Sequence, residues 1–327
     1  MIKLTSNLFR TVMTVWLFSL TCSVIAQQEV QLTQFMSNPL NYNPSFAGTT
    51  NAFSVGLLSR QQWVDVKDAP ATYILNIHSP INDTKTSLGG SIISDRAGPV
   101  VLNKVKFAYS FLVRINHGTF LSLGLSGGIN NYNVNLSKLN LADDNDPMFA
   151  NGIENAFKPS AGAGIFLYTP SFYLGASMLD MLNSNIPYKE TSSYFQGQTK
   201  DFLTTAGYKT NISYEVSLKG SAMAHFSDKR KTYDFALQGF YENYFNLGAA
   251  YRLDQSAALL LGVNLNEYVS VNYSYDFPIH STALKNFSSQ EISISFSTDA
   301  FYLYNRDREF TGKAKKQDEA VKSIRYF

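Results

Sequence analysis

The string Gly124-Leu125-Ser126-Gly127-Gly128 fits the G-x-S-x-G pattern of a nucleophilic serine. That chemistry requires a sharp strand-to-helix turn to project the hydroxyl, with a histidine and an acid close by. Here the five residues fall inside a run that alternates like a strand, where glycine relieves crowding or permits bending. Asp143-Asp144-Asn145-Asp146 is acidic enough to attract calcium, but it lacks the glycine and later glutamate of a known loop type. It reads as an exposed acidic loop first and an ion site second. His78, His117, His225 and His280 are scattered, with no two at zinc-ligand spacing. No two carboxylates stand at a spacing that defines an acid–base pair. These residues support no catalytic site, cofactor or metal.

The stretch QFMSNPLNYNPSFAGTT, Gln34 to Thr50, is of another kind. Its Asn38-Pro39 and Asn43-Pro44 pairs remove two backbone donors and push each asparagine towards an extended or turn conformation. A continuous helix and a central strand are both disfavoured. Yet Phe35, Met36, Leu40, Tyr42 and Phe46 are too apolar for a disordered linker. A kinked segment of this kind needs a surface to pack on, and the rest of the chain must supply it.

Lys3 and Arg10 precede an uncharged, mostly apolar run from Thr11 to Ile25, and polar Gln27-Gln28-Glu29 follows Ala26. This reads as a secretory signal peptide over residues 1–26. The alternative is a retained anchor, but the run is shorter than the roughly 20 residues that span a bilayer. Cys22, the single cysteine, lies in this run. Thr21 and Ser19 are unlike the small and aliphatic residues that precede a lipidated cysteine. A cleaved chain has no thiol, which excludes disulfides and thiolate chemistry. Charged residues make up 16% of the chain, below the usual roughly 25%. With no basic run in the body, nucleic acid is not an expected partner.

Beyond the leader no apolar run reaches helix-spanning length, so any membrane crossing must use strands. Strand patterns are abundant. Val105, Phe107, Tyr109, Phe111 and Val113 alternate with Lys106, Ala108, Ser110 and Arg114. Val269 to Phe277 and Ile292 to Phe296 alternate in the same way. About fourteen such runs predict 55–62, 70–78, 86–94, 105–115, 119–129, 158–168, 172–178, 200–210, 214–225, 232–241, 244–252, 256–264, 269–277 and 290–298 as strands. A soluble sandwich and a membrane barrel both fit this count.

Two features favour an all-β transmembrane antiparallel barrel. Connections after even-numbered runs are short, as at 116–118, 169–171, 242–243 and 266–267. Those after odd-numbered runs are mostly long: 95–104, 130–157, 179–199 and 278–289. Outer-membrane barrels sort their loops this way. The exception is 253–255. The polar face of most runs is also small and largely uncharged, as a crowded wet lumen requires. Tyr168, Phe172, Tyr173, Tyr241 and Tyr244, beside short turns, are expected to form an aromatic girdle or to be ordinary surface residues.

The organisation is then a leader (1–26), a kinked N-terminal segment (27–54), a barrel (55–304) and a charged periplasmic tail (305–327). The tail is expected to be flexible or partly helical. Both ends of the mature chain are expected on the periplasmic side.

Gln34, Phe35, Met36, Asn38-Pro39, Tyr42-Asn43-Pro44 and Ala47-Gly48 resemble the opening motif of the PorP/SprF family of type IX secretion outer-membrane proteins, found in Bacteroidota. Arg60, Gln62 and Trp63, with Gln61 filling the middle, are similar to its Arg-Gln-Trp element. Ala69, Pro70, Thr72 and Tyr73, then Asp95 and Gly98, continue the likeness. Asp146-Pro147 and Gly175-Ala176-Ser177 with nearby Asp180 extend it over roughly residues 30 to 300. The chain departs from the family pattern by running some 30 residues past its last strand.

The resemblance implies a non-enzymatic role in export or surface anchoring of proteins with C-terminal sorting domains, gliding adhesins among them. Its implied partners are the periplasmic lipoprotein ring of the secretion machine, a large secreted surface protein, and outer-membrane lipid. The competing classes are a general porin and an outer-membrane hydrolase. A barrel of about fourteen strands has a lumen wider than its own side chains fill. Gln34–Thr50 is therefore expected at the periplasmic mouth or in the lumen, either presenting a partner surface or simply closing the pore. Arg60 is expected as a lumen charge and Trp63 as an interfacial anchor.

Overall fold

The computed structural model describes residues 31–298 except 65, 82–84, 117, 136–152, 183–185, 188–193, 196–199, 228–229 and 280–287. The leader, Cys22, His117, Asp143–Asp146, His280 and the tail at 305–327 lie outside the described residues.

All fourteen expected runs are strands of one closed antiparallel barrel. They are β1 (Phe53–Gln61), β2 (Ala71–Pro80), β3 (Thr86–Ala97), β4 (Val100–Asn116), β5 (Thr119–Asn135), β6 (Ile153–Tyr168) and β7 (Phe172–Leu179). After a two-residue pairing of β8 (Ile186–Pro187) with β9 (Tyr194–Phe195), the wall resumes. It continues through β10 (Asp201–Asn211), β11 (Val216–Ser227), β12 (Lys231–Tyr241), β13 (Phe245–Arg252), β14 (Ser256–Asn264), β15 (Val269–Pro278) and β16 (Ser289–Thr298). Neighbours in sequence pair throughout. Closure comes from β1 on β16, in register from Phe53↔Thr298 to Gln61↔Gln290.

Alternation decides which side chains face out. Phe107, Leu125, Leu237, Leu259 and Ile292 are exposed on the outer surface. On the same strands, Ser110, Ser122, Gln238, Leu260 and Ser293 point the other way and are buried within. A soluble protein would reverse that sorting, whereas a bilayer rewards it. Leu259→Arg is accordingly expected to destabilise the inserted barrel by about 2 kcal/mol. The thermal transition in micelles or bilayers would read this, and an unchanged transition would contradict contact of this face with hydrocarbon.

Two sequence expectations need correction. The connection expected over 95–104 is almost wholly strand, because β3 and β4 stay paired out to Ala97↔Val100. Gly98, at φ +57, with Pro99 makes the turn. β5 and β6 likewise run on as far as Asn135↔Ile153. The β3–β6 strands, up to 17 residues long, exceed the 9–11 residues that span a bilayer. The loop asymmetry is consequently milder than expected, the tight turn at 98–99 adding to the exception already expected at 253–255. The aromatic girdle also divides. Phe172, Tyr241 and Tyr244 are exposed, but Tyr168 and Tyr173 are buried inside the barrel.

Candidate functional site

Residues 32–52 thread the lumen as a plug. Three single 3-10 turns, Phe35–Ser37, Pro39–Asn41 and Pro44–Phe46, are separated by Asn38 and Asn43, each outside the helical region. Each proline opens its turn, where its missing donor breaks no helical bond. The Asn43 side chain accepts from Ser45 N at 2.9 Å and so starts the third turn. The segment buries its apolar side chains without offering an edge for strand pairing.

The foot of the plug sits at the short-turn end of the barrel. Leu40, Phe46 and Ala47 join Ala108, Leu112, Phe120, Phe166, Tyr168 and Tyr173 in one apolar cluster. Phe46 meets Phe166 edge to face at 5.6 Å, and Phe166 stacks on Tyr173 at 5.5 Å. Tyr168 and Tyr173, two expected girdle residues, lie on the same inner face and pack on Phe166 beneath the plug. Polar pins surround the cluster. Asn43 Nδ2 donates to Ile165 O at 2.9 Å, Ser177 Oγ to Tyr42 O, and Gly48 N to His78 Nδ1 at 3.3 Å. Ser110 Oγ donates to Ala47 O at 2.7 Å, and Ser110→Ala is expected to cost about 1 kcal/mol of thermal stability. A silent substitution would show that pin to be dispensable.

Glycine makes the seat. An added Cβ on Gly124 would stand 2.3 Å from Ser45 N and 2.5 Å from Ser45 Cα. On Gly164 it would stand 2.2 Å from Asn43 Oδ1. The G-x-S-x-G string is therefore part of a docking surface for backbone: its first glycine faces the plug and no nucleophile elbow exists in β5.

The head of the plug lies at the opposite end, among charges. Glu291 accepts the backbone N–H of Thr33 at 2.6 Å and of Gln34 at 2.9 Å. Asp276 accepts from Thr33 Oγ1 at 2.5 Å. Arg60 Nη1 lies 3.0 Å from Asp276 Oδ2, contacts Glu291, and donates to Thr33 Oγ1 at 3.2 Å. The Gln34 side chain donates to Ser274 Oγ and Glu291 O and accepts from Ser293 Oγ at 2.8 Å. Arg252, paired with Asp234 at 2.5 Å, donates to Leu32 O at 3.1 Å. Leu32 N donates to the Tyr42 hydroxyl at 3.2 Å, tying head to foot. Burial, with the Glu291 charge, pushes the Tyr42 phenol up, so it stays a neutral hydroxyl.

Further polar contacts line the lumen at the long-connection end. Asp180, at φ 49, pairs with Lys104 at 3.3 Å and Lys106 at 3.6 Å, and Asp201 shares a hydrogen bond with His225 Nε2 at 3.1 Å. The lumen lining, expected to be small and largely uncharged, thus also holds charged clusters: Arg60 with Asp276 and Glu291, Asp180 with Lys104 and Lys106, and Arg252 with Asp234. Strand parity pointed Asp276 inward, but only closure of the barrel brings Asp276, Glu291 and Arg60 together from three strands.

The motif residues fall into two groups. Gln34, Phe35, Met36, Asn38, Pro39, Tyr42, Asn43, Pro44, Ala47 and Gly48 make the plug, and Arg60 anchors its head. Asn38 accepts from Asn76 Nδ2 at 3.1 Å. Trp63, Asp95 and Gly98 are not gathered there. Trp63 follows β1 at φ 48, Asp95 accepts from Thr72 Oγ1 at 2.6 Å, and Gly98 turns β3 into β4. Phe53 and Thr298, the two ends of the barrel wall, pair with each other at the short-turn end, and the plug carries Leu32 to the far end of the lumen.

The model of the type IX secretion system membrane protein PorP/SprF matches residues 24–296. The chain belongs to the PorP/SprF family. A PorP/SprF protein with a closed barrel and an apolar outer face is an integral outer-membrane protein, here one with its lumen threaded by the family's opening motif. Membership makes it a component of the type IX secretion system and implies association with that machinery. No curated protein matches the chain.

Among solved structures, the CymD monoaromatic hydrocarbon channel is 12% identical with a TM-score of 0.48, over 80% of this chain and 93% of that one. Omp33 of Acinetobacter baumannii is 9% identical with a TM-score of 0.45, over 76% and 99%. The toluene transporter TodX of P. putida is 11% identical with a TM-score of 0.44, over 80% and 93%.

Proposed function

We propose that this PorP/SprF protein is a non-enzymatic accessory barrel that helps export, or anchor at the cell surface, proteins bearing C-terminal sorting domains. The plug supports this reading. Its motif residues pack inside the barrel, which suits a gate or docking element and requires no catalysis. The foot, at the short-turn end, is the surface a periplasmic lipoprotein ring would meet. The far end of the lumen is where a large surface protein would be held. Asp95, Gly98 and Trp63, near that end, belong to the same proposed contact region.

The test removes residues 34–48 and follows barrel assembly and cargo display together. A correctly inserted barrel that no longer displays cargo supports the role. Normal display by such a barrel refutes it and leaves the plug as simple closure. Conductance of the intact protein in planar bilayers would favour the porin reading instead, since the foot and the head both obstruct the lumen.

A further inference from the structure

The foot of the plug leans on the β2–β7 side of the wall and leaves a cleft of about 160 Å3 against the opposite side. The cleft opens beside Asn266 and Tyr268, at the short-turn end. Its wall is a continuous polar row. Gln238 Nε2 donates to Asn246 Oδ1 at 3.4 Å, and Asn246 Nδ2 to Asn272 Oδ1 at 3.2 Å. β14 passes between Asn246 and Asn272, and Gly262 stands at the crossing. A Cβ there would lie 2.1 Å from Asn246 Nδ2 and 2.2 Å from Asn272 Oδ1. The wall has been kept bare so that the carboxamides can meet over it. The row continues through the hydroxyl pairs Ser270–Ser295 at 2.6 Å and Ser54–Ser297 at 3.0 Å.

Asn76 faces this row from across the cleft. It is 4% exposed, and its Oδ1 has no hydrogen-bond partner. Phe240 and Tyr268 add aromatic surface. The acidic and basic side chains of the lining, Glu267 and Lys219, are of opposite sign, so the cleft does not select a charged ligand.

We infer that this cleft binds a neutral sugar unit. Carboxamides and hydroxyls each donate and accept, which matches the vicinal hydroxyls of a sugar ring. Aromatic rings suit its C–H faces. The volume equals that of about five waters, enough for one ring. An extended peptide is the poorer occupant, because it binds best along a free strand edge and the closed barrel has none. The site is independent of the export role, and its ligand has two natural sources: an N-acetylated cell-wall glycan or an unacetylated polysaccharide.

Saturation-transfer NMR on the full-length protein in micelles tests this with three probes at millimolar concentration: N,N′-diacetylchitobiose, maltose and the capped tripeptide Ac-Gly-Ser-Gly-NH2. Transfer to at least one sugar is expected, and chitobiose alone would identify the acetylated source. Asn272→Leu should weaken that sugar's binding about fivefold, the loss expected for one hydrogen bond. Gln238→Met, at the other end of the row, gives the same readout if Asn272→Leu does not fold. Transfer to the tripeptide alone, to no probe, or undiminished by either variant overturns the inference.

Discussion

Replacing Arg60 with alanine is expected to lower stability by about 3–5 kcal/mol, the cost of stranding buried charges. Arg60 is 5% exposed, and its Nη1 touches Asp276, Glu291 and Thr33 at once. Without it two carboxylates face each other beside the plug head. Glu291 still accepts two backbone N–H groups, but Asp276 keeps only the Thr33 hydroxyl. Arg60→Lys retains the charge and loses the planar fork, so a smaller loss is expected. Arg60→Met combined with Asp276→Asn and Glu291→Gln should recover part of the deficit, because no charge is then left uncompensated. Thermal unfolding in micelles reads all three variants. A loss below about 1 kcal/mol for Arg60→Ala would mean that water already screens the cluster and that the head is not latched by charge.

Gly124→Val should unseat the foot. The new Cβ would meet the backbone of Pro44 and Ser45 at 2.3–2.6 Å, and backbone cannot rotate aside as a side chain can. Overpacking of this kind costs about 3 kcal/mol at the upper end of its usual range. Here the plug itself is the part able to yield. The expected signature is therefore a barrel that still inserts, a plug newly open to protease at 34–48, and raised conductance. Gly127→Ala, three residues on, is the control. Its Cβ would meet nothing within 4 Å, so no change is expected. Equal behaviour of the two variants would show that the foot does not depend on the glycine seat.

The barrel was legible in the sequence because alternation is a local property. Val105 to Val113 and Val269 to Phe277 declare an apolar face without reference to any other strand. The plug was half legible. Two Asn-Pro pairs forbid a helix and a central strand, and Phe35, Leu40 and Phe46 demand burial. Those residues could not say whether burial was at the mouth or inside. Tyr168 and Tyr173 misled because being beside a short turn is compatible with either face of the wall. Strand alternation sets them on the inner face beside Phe166, and the contact of Phe166 with Phe46 joins residues more than a hundred positions apart.

The sequence by itself determined the strands, their number, the lipid-facing side and the kinks of the opening motif. Each depends on residues within about ten positions of one another. Tertiary structure alone decided the joining of Arg60 with Asp276 and Glu291, the glycine seat under Ser45, and the amide row over Gly262. Closing the ring brings β1 beside β16, and threading the plug lays residues 32–50 against strands from the whole circumference. Contacts so remote in sequence leave no periodic trace in the chain, because their spacing is set by the barrel's geometry.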